Sequence, residues 1–300
     1  MREIRIRIPA STSNLGPGFD CLGMAVRLYN RITAQEIDSD RVEISVSGEG
    51  AGVVSTGDDN LVWHSMCRLF REVGYVHRGI RLHLENDVPV ARGLGSSAAA
   101  RVGGLMAAKI LCGTDLSDRD ILDMACELEG HPDNAAAALT GGLVVSSVRD
   151  GHVECVRIDP PTGIVAVLAV PSFELPTEKA RRVLPDTISL TDAVHNIGCV
   201  ALLTAAFATG AFDTIRSAME DRVHQPYRAP LIPGMQRVFD AARRAGALGA
   251  AISGAGPTIL ALTDADPERI GESMCAAWKE QEIASRILVL DIEPQGVVVE

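Results

Sequence analysis

The sequence has no C-x-x-C pair, although it contains seven cysteines. Structural zinc sites and redox dithiols usually bring cysteines together at that spacing, so neither is predicted. Scattered single cysteines are typical of reduced residues in a cytosolic protein. The chain also lacks a run of about 18 apolar residues and an apolar N-terminal segment, so it predicts neither a transmembrane helix nor a signal peptide. We therefore expect a cytoplasmic protein.

Basic residues are in the minority: 28 Lys and Arg stand against 39 Asp and Glu, which gives a net charge of −11. This balance argues against nucleic-acid binding through a basic face and against polybasic contact with a membrane. Aromatic residues make up only 4% of the chain, whereas hydrophobic residues make up 47%, so the core is expected to be mostly aliphatic. A local cationic pocket remains compatible with this composition.

The order of strands and helices predicts an α+β protein of two domains. Ile4, Ile6 and Ile8 alternate with charged residues, which indicates a half-buried strand in an antiparallel or mixed sheet. A Pro-Pro-Thr-Gly segment divides the chain, so the predicted domains are residues 1–163 and 164–300. The residues after 294 are expected to be loosely held. The other predicted strands are 42–46, 80–84, 143–148, 152–158, 164–170, 249–253, 258–263 and 286–291, and the predicted helices are 61–73, 96–111, 117–130, 177–183, 191–208, 212–223, 235–245 and 267–280.

The segment P-V-A-R-G-L-G-S-S-A-A at 89–99 follows a predicted strand and opens a predicted helix. Gly93 and Gly95 allow backbone angles that turn amides toward a ligand, and a helix start adds unpaired N–H groups, so the segment suits a phosphate. Ser96 and Ser97 could contact phosphate and magnesium, or could cap the helix in a purely structural turn. No lysine follows, as it would in a P-loop, and the third glycine of a dinucleotide fingerprint is missing.

Two further glycine-rich segments flank this one. Residues 9–23 are predicted to form one polar loop, in which Asn14 and Asp20 could bind a substrate or could form local Asx-type turns. Residues 248–258 are predicted to link two short strands, either as a simple hairpin turn or as a turn that approaches bound ligands.

These segments together resemble the GHMP kinase superfamily. Residues 89–99 match its pattern P-x-x-x-G-L-G-S-S-A-A, and the three segments stand in the family's order. Within the superfamily, the S-T-S-N-L-G-P-G-F-D segment at 11–20, G-H-P-D-N at 130–134 and H-Q-P-Y-R at 224–228 resemble the homoserine kinases. Mevalonate kinases usually carry a lysine in the first segment, and here no lysine precedes Lys109.

The resemblance implies an N-terminal mixed α/β nucleotide-binding domain, a C-terminal ferredoxin-like domain, an active site in the cleft between them, and a homodimer. It implies that ATP and Mg²⁺ serve to phosphorylate the side-chain hydroxyl of L-homoserine, which yields O-phospho-L-homoserine for threonine biosynthesis. Another GHMP-type kinase, such as a mevalonate kinase, is the alternative enzyme. A nucleotide or sugar sensor without activity is the alternative outside catalysis.

The resemblance also implies the site residues. The expected ATP contacts are Asn60, which could instead cap a helix, and Pro89, Val90, Ala91, Arg92, Gly93, Leu94, Gly95, Ser96, Ser97, Ala98 and Ala99. The expected substrate contacts are Asn14, Asp20 for the ammonium group, His131, Asn134, Thr177, and Arg181 or Arg228 for the carboxylate. Asp133, Asn134 and Arg181 are the expected catalytic residues, and the general base is left open because positioning alone can suffice.

The family pattern also implies that magnesium is held by Ser97 and by an acidic residue before His131. Glu127 and Glu129 compete for this role. At 100° per residue, Glu129 falls on the flank of the apolar face of its helix, whereas Glu127 falls on the solvated side. A magnesium ligand must face inward, so Glu129 is the predicted ligand.

Overall fold

The computed structural model describes residues 3–300 and contains two β-sheets with helices packed against them, which confirms the predicted α+β class. In chain order, the strands are β1 (Glu3–Asn14), β2 (Gly18–Ile37), β3 (Val42–Gly48), β4 (Gly79–Asn86), β5 (Leu143–Arg149), β6 (His152–Ile158), β7 (Val165–Pro171), β8 (Gly249–Ile252), β9 (Ile259–Thr263), β10 (Ser285–Asp291) and β11 (Val298–Val299). The α-helices are α1 (Leu61–Val73), α2 (Ser96–Cys112), α3 (Asp118–Glu129), α4 (Asp133–Thr140), α5 (Thr177–Arg182), α6 (Leu190–Thr209), α7 (Ile215–Ala218), α8 (Gln225–Arg228), α9 (Met235–Arg244) and α10 (Pro267–Lys279).

The first sheet has the order β11-β1-β2-β4-β3, and the β5–β6 hairpin pairs with the start of β2. The β3–β4 pair is parallel and the other pairs are antiparallel. Alternate residues of β1, such as Ile4 and Ile6, are buried against helices α1 to α4 in one aliphatic core. The predicted mixed sheet is therefore confirmed.

The second sheet is antiparallel with the order β10-β7-β9-β8, and helix α10 connects β9 to β10. This order is that of a ferredoxin-like fold, which confirms the expectation for the C-terminal half. One face packs on α9 and α10, where Val167 contacts the cluster that contains Trp278. The other face packs on α6, where Leu168 shares a cluster with Leu203 and Phe207.

The turn between β1 and β2 joins the two halves of the molecule. Leu15 and Leu22 of this hairpin belong to the same core cluster as Leu168 and Leu260 of the second sheet. At the far end of the chain, β11 pairs with Ile6 and Arg7 of β1, so the last residues return to the first sheet. The division at 163/164 stays a prediction.

Three expectations about elements were wrong. Residues 9–23 are not one loop, because Ser11 and Thr12 pair in register with Ala25 and Met24, and the turn itself spans only residues 15–17. The helix predicted at 212–223 is a 3-10 turn followed by the short α7. After α7 the buried carboxylate of Asp221 accepts backbone N–H groups of the following residues, which bends the chain away from a helix.

The third wrong expectation concerns the end of the chain. The residues after 294 are held in place, because the Val297 N–H donates to the Leu139 carbonyl and β11 extends the first sheet.

Helix α6 is long and apolar enough to cross a membrane by length and composition, although only 28% of its most apolar window is buried. The side chain of Asn196, on its packed face, donates to the Pro17 carbonyl and to Asp221. One face of α6 therefore packs against the rest of the protein, and the opposite face is exposed and apolar.

Candidate active site

A cavity of about 420 Å³ lies where the two halves meet. Its lining comes from the β1–β2 hairpin, the 89–97 segment, the α3–α4 junction, α5, Arg228 and the 248–258 segment. All three segments that the sequence singled out therefore converge on one cavity, although they are separated by up to 240 residues in the chain.

The 89–97 segment forms an amide-rich turn at the start of α2. Gly95 is the N-cap and makes no side-chain cap, so the alternative in which a serine caps this helix is wrong. Ala91, Gly93 and Gly95 have φ values of +53°, +75° and +69°. These left-handed conformations, together with the unpaired amides of a first helical turn, make the turn suitable for an anion.

Close packing explains the two glycines. A Cβ on Gly93 would lie 2.2 Å from the Ser253 carbonyl oxygen, and one on Gly95 would lie 2.1 Å from the Ser11 hydroxyl. Ser253 also donates its hydroxyl to the Gly93 carbonyl at 2.7 Å. The 248–258 segment therefore packs against the 89–97 turn and supports it.

Not every residue of 89–99 faces the cavity. Ala98 and Ala99 are fully buried away from it, and the Ala99 N–H donates to the Gly95 carbonyl. Arg92 borders the cavity, but its guanidinium donates to the Val90, Pro171 and Ser172 carbonyls and pairs with Glu174 at 3.2 Å. The expected ATP contacts from Ala98, Ala99 and the Arg92 side chain thus have a structural role instead, whereas Pro89, Val90, Ala91, Leu94, Ser96 and Ser97 line the cavity.

Ser97 and Glu129 lie together at the start of α2. The Ser97 hydroxyl donates to one Glu129 carboxylate oxygen at 3.0 Å, and Arg101 donates to the other at 2.5 Å. The Glu129 side chain is 6% exposed, whereas that of Glu127 is 59% exposed and pairs with Arg68. Helical geometry therefore predicted correctly which glutamate faces inward; its metal role stays a prediction.

A second polar group borders the same cavity. Arg181 binds Asp20 with two hydrogen bonds of 2.6 and 3.0 Å, and His131 contacts Asp133 at 2.7 Å. Burial is the largest single influence on the pKa of His131 and lowers it, but the hydrogen bond with Asp133 and the charge of Asp133 together raise the net pKa. Thr177, at the exposed start of α5, also borders this end.

Ligand atoms of Asp20, His131 and Asp133 lie within 4.8 Å of one another, close enough for a metal ion. A histidine, however, does not suit magnesium, which prefers oxygen ligands. The all-oxygen pair of Ser97 and Glu129 fits magnesium better.

Arg228 is the most unusual charged residue of the cavity, because it is only 1% exposed. Its Nε donates to the Ala180 carbonyl, and its Nη1 donates to the Gly254 carbonyl and to His224. Within residues 3–300 no carboxylate pairs with it. Burial, followed by the charge of Arg181, lowers its pKa to about 10.

Three of the five asparagines that border the cavity were predicted site residues, and their polar atoms are bonded to the protein. The Asn60 side chain accepts hydrogen bonds from the N–H groups of Val62 and Trp63 and so caps α1, which was the alternative role predicted for this residue. Asn14 accepts the Asp20 N–H and donates to the Gly254 carbonyl. Asn134 exchanges hydrogen bonds with the hydroxyls of Ser11 and Ser13. These bonds fix the cavity wall.

Sequence reasoning missed Arg101, Phe19 and His224. Arg101 could have been found, because it stands four residues after Ser97 and so lies on the same face of α2. The Phe19 ring lies beneath both arginines, with Arg181 and Arg228 guanidinium carbons 5.5 and 5.3 Å from its centroid. No local sequence signal indicates that arrangement.

Comparison with known proteins agrees with this geometry. A sequence model of the GHMP kinases N-terminal domain matches residues 60–142, and one of the GHMP kinases C-terminal region matches residues 203–280. A homoserine kinase of Moorella thermoacetica is 45% identical over 98% of this chain and 99% of its own length. This chain belongs to the GHMP kinase family. Among these kinases it belongs with the homoserine kinases, and that of Microchaete diplosiphon is 40% identical over 98% of this chain and 96% of its own.

Solved structures of GHMP kinases support the same grouping. A homoserine kinase from Cytophaga hutchinsonii superposes with a TM-score of 0.91 at 33% identity, covering 100% of this chain and 98% of the other. A mevalonate kinase of L. major superposes with a TM-score of 0.73 at 16% identity, covering 97% and 96%, which shows a shared fold alone. The protein is therefore a kinase, and membership of a kinase family implies the use of ATP.

Proposed function

We propose that this GHMP kinase transfers the γ-phosphoryl group of ATP to the side-chain hydroxyl of L-homoserine and so supplies O-phospho-L-homoserine for threonine biosynthesis. The observation that carries the proposal is Arg228, a buried cation without a carboxylate partner in the described chain, in the same cavity as the phosphate turn. A buried unpaired charge is costly, so this arrangement favours a ligand that brings its own carboxylate.

The amino-acid end of the cavity supports this substrate. The second terminal nitrogen of Arg228, Nη2, has no protein acceptor among residues 3–300 and is left for the substrate carboxylate. Asp20, held in place by Arg181, then faces the ammonium group. His131, Thr177 and the backbone around Asn14 complete the wall of the pocket.

The phosphate end supports ATP. The amides around Gly93 to Ser97 would hold the polyphosphate, and the loop on the Asn60 side would hold the base. Ser97 and Glu129 would hold Mg²⁺, which neutralises charge on the phosphates when it is bound. Arg101 keeps the Glu129 carboxylate oriented toward the Ser97 hydroxyl.

In the transfer, the homoserine oxygen forms a bond to the γ-phosphorus while the bond to the β–γ bridging oxygen breaks and ADP leaves. The transition state is loose, so alignment of the hydroxyl contributes more than early removal of its proton. Asp133 is a buried carboxylate in the wall of the cavity. The His131 ring and the Asn134 N–H hold it in place. Asn134 acts as a positioning residue for the β1–β2 hairpin, and Arg181 acts as one for Asp20.

An ADP-release assay tests the proposal. We expect turnover with L-homoserine and none with mevalonate, because mevalonate has no ammonium group to face Asp20. Turnover of mevalonate alone would favour the alternative kinase. Nucleotide binding without ADP release from any acceptor would favour a sensor. Either result would overturn the proposal.

We also propose that the protein is a homodimer that pairs through the exposed face of α6. Fourteen large apolar side chains of the described chain are exposed to solvent, and five of them lie at residues 188–202. The sequence of α6 contains no Lys, Arg or Glu, and its single Asp192 lies 3.6 Å from Arg222. Each copy has a net charge of −11, but two copies can approach through this face of α6 without bringing like charges together.

The second copy fits this face because the face is self-complementary. In an antiparallel pairing about the middle of α6, Ile197 of one copy meets Leu202 of the other, and Gly198 meets Ala201. A Cβ on Gly198 would meet nothing within 4 Å in its own chain, so intrachain packing does not require this glycine. A glycine inside a helix costs about 1 kcal/mol, and close approach of a second helix would explain it. The absence of Lys and Arg from α6 itself, where they would bind an anionic membrane, supports a cytoplasmic protein.

Replacing Ile197 with glutamate should convert the dimer to a monomer. The dissociation constant should rise roughly a hundredfold, because a twofold interface brings in the new charge twice. Sedimentation velocity measures this, with Val156→Glu on β6 as the control, since Val156 is equally exposed at 66%. A monomeric wild type, or a dimer that Ile197→Glu leaves intact, would contradict the proposed interface.

A further inference from the structure

His224 is fully buried beside the cavity, yet the proposed transfer gives it no role. It stands at the N-terminal end of α8, and its ring stacks on Phe19 with centroids 5.3 Å apart. One ring nitrogen, Nε2, lies 2.7 Å from the Gly16 carbonyl oxygen, and the other, Nδ1, lies 3.1 Å from Nη1 of Arg228. The ring therefore bridges the β1–β2 turn and Arg228.

The partners fix the tautomer of this histidine. A carbonyl oxygen only accepts, so Nε2 must carry the proton and donate to Gly16. A guanidinium only donates, so Nδ1 must be unprotonated and accept from Arg228. Burial lowers the pKa of His224, although the Asp221 carboxylate, 3.6 Å from Nε2, opposes the shift. The ring that accepts from Arg228 at Nδ1 is the neutral one.

Arg228 is held by three fixed acceptors, which are the Ala180 carbonyl, the Gly254 carbonyl and Nδ1 of His224. They belong to α5, to the 248–258 segment and to the residue before α8. Together they determine the plane of the guanidinium and hence the direction of Nη2. Two of them also contact the β1–β2 hairpin that carries Asp20: His224 donates to the Gly16 carbonyl, and the Gly254 carbonyl also accepts from Asn14.

We infer that His224 is a positioning residue that aims the Arg228 guanidinium at the substrate carboxylate and ties that aim to the turn that carries Asp20. The inference rests on the proposed function, because it assigns the carboxylate to Arg228. In this arrangement, the His224 ring sets the distance between the site for the substrate carboxylate and the site for its ammonium group. Loss of the Nδ1 acceptor would leave a guanidinium N–H unpaired and free to turn away.

Two substitutions separate the two ring nitrogens. In His224→Asn, the amide oxygen can take the place of Nδ1 and accept from Arg228. In His224→Gln, the amide nitrogen can take the place of Nε2 and donate to Gly16, but the acceptor for Arg228 is displaced. Both variants lose the same stacking on Phe19, so each controls for the other.

Steady-state kinetics with both substrates, together with thermal unfolding, tests the inference. For His224→Gln, the KM for L-homoserine should rise roughly tenfold to a hundredfold, as expected for a lost hydrogen bond to a charged group, while kcat and the KM for ATP change little. For His224→Asn, the KM for L-homoserine should stay within about threefold of wild type.

Equal KM values for the two variants, or losses confined to kcat and the unfolding midpoint, would overturn the inference, because a purely structural residue predicts that result. The proposed function fails separately. If replacing Arg228 itself leaves the KM for L-homoserine unchanged, the carboxylate assignment is wrong. If Arg228 matters and His224→Gln does not, only the role of His224 is wrong.

Discussion

Replacing Arg228 with leucine should raise the KM for L-homoserine roughly a hundredfold to a thousandfold, because a substrate carboxylate would enter a buried site without its cation. The KM for ATP should change little, since the Arg228 side chain donates to the Ala180 and Gly254 carbonyls and to His224 and not to the 89–97 turn. The same measurement on Arg182→Leu provides the control. Arg182 lies next to Arg181 on α5, but its side chain is 74% exposed and contacts only Glu178.

A truncated substrate makes this test specific to the carboxylate. 3-Aminopropan-1-ol is homoserine without its carboxylate group. Wild-type enzyme should strongly prefer homoserine, whereas Arg228→Leu should use the two compounds with similar efficiency, because neither can pair with the missing guanidinium. A variant that keeps the full preference would show that the carboxylate binds elsewhere, with Arg181 as the next candidate.

The second large effect is expected at Glu129. Replacing it with glutamine should lower kcat roughly a hundredfold to a thousandfold, because a neutral amide coordinates magnesium weakly and the charge on the phosphates is then poorly compensated. The fold should survive, since the amide oxygen of glutamine can still accept from Arg101 and its NH2 group can donate to the Ser97 hydroxyl. Excess Mg²⁺ should restore part of the activity, which a titration with the metal measures.

Glu127→Gln is the matched control for this experiment. Glu127 lies on the same helix two residues earlier, and its side chain is 59% exposed and bound to Arg68. Its replacement should leave kcat and the Mg²⁺ requirement close to wild type. Equal effects of the two substitutions, or no change in Mg²⁺ requirement for Glu129→Gln, would contradict the assignment of the metal.

Local patterns in the sequence predicted most elements well. The alternation in β1 and the apolar periodicity of α1 depend only on neighbours along the chain, and so does the Ser117 capping box that begins α3. The inward orientation of Glu129 followed from helical geometry for the same reason. The ferredoxin-like order of β7 to β10 came from family resemblance, because strand order depends on pairing between distant residues.

Expectations failed where long-range contacts decide the structure. Residues 9–14 have the composition of a loop, yet they form a strand because β2 is there to pair with them. The residues after 294 are ordered because the edge of β1 accepts β11. The helix expected at 212–223 ends early because Asp221 is buried beside Asn196 and binds the backbone N–H groups that follow it.

The sequence by itself determined the glycine turn before α2, the inward orientation of Glu129 and the class of the fold, since each depends on residues close together in the chain. Only the tertiary structure decided which charges are paired. In that structure Asp20 pairs with Arg181, which is 161 residues away in the chain. Arg228 is buried and has no carboxylate partner among residues 3–300. Charge pairing and burial depend on which distant segments meet, and that information becomes available only when the two sheets pack together around the cavity.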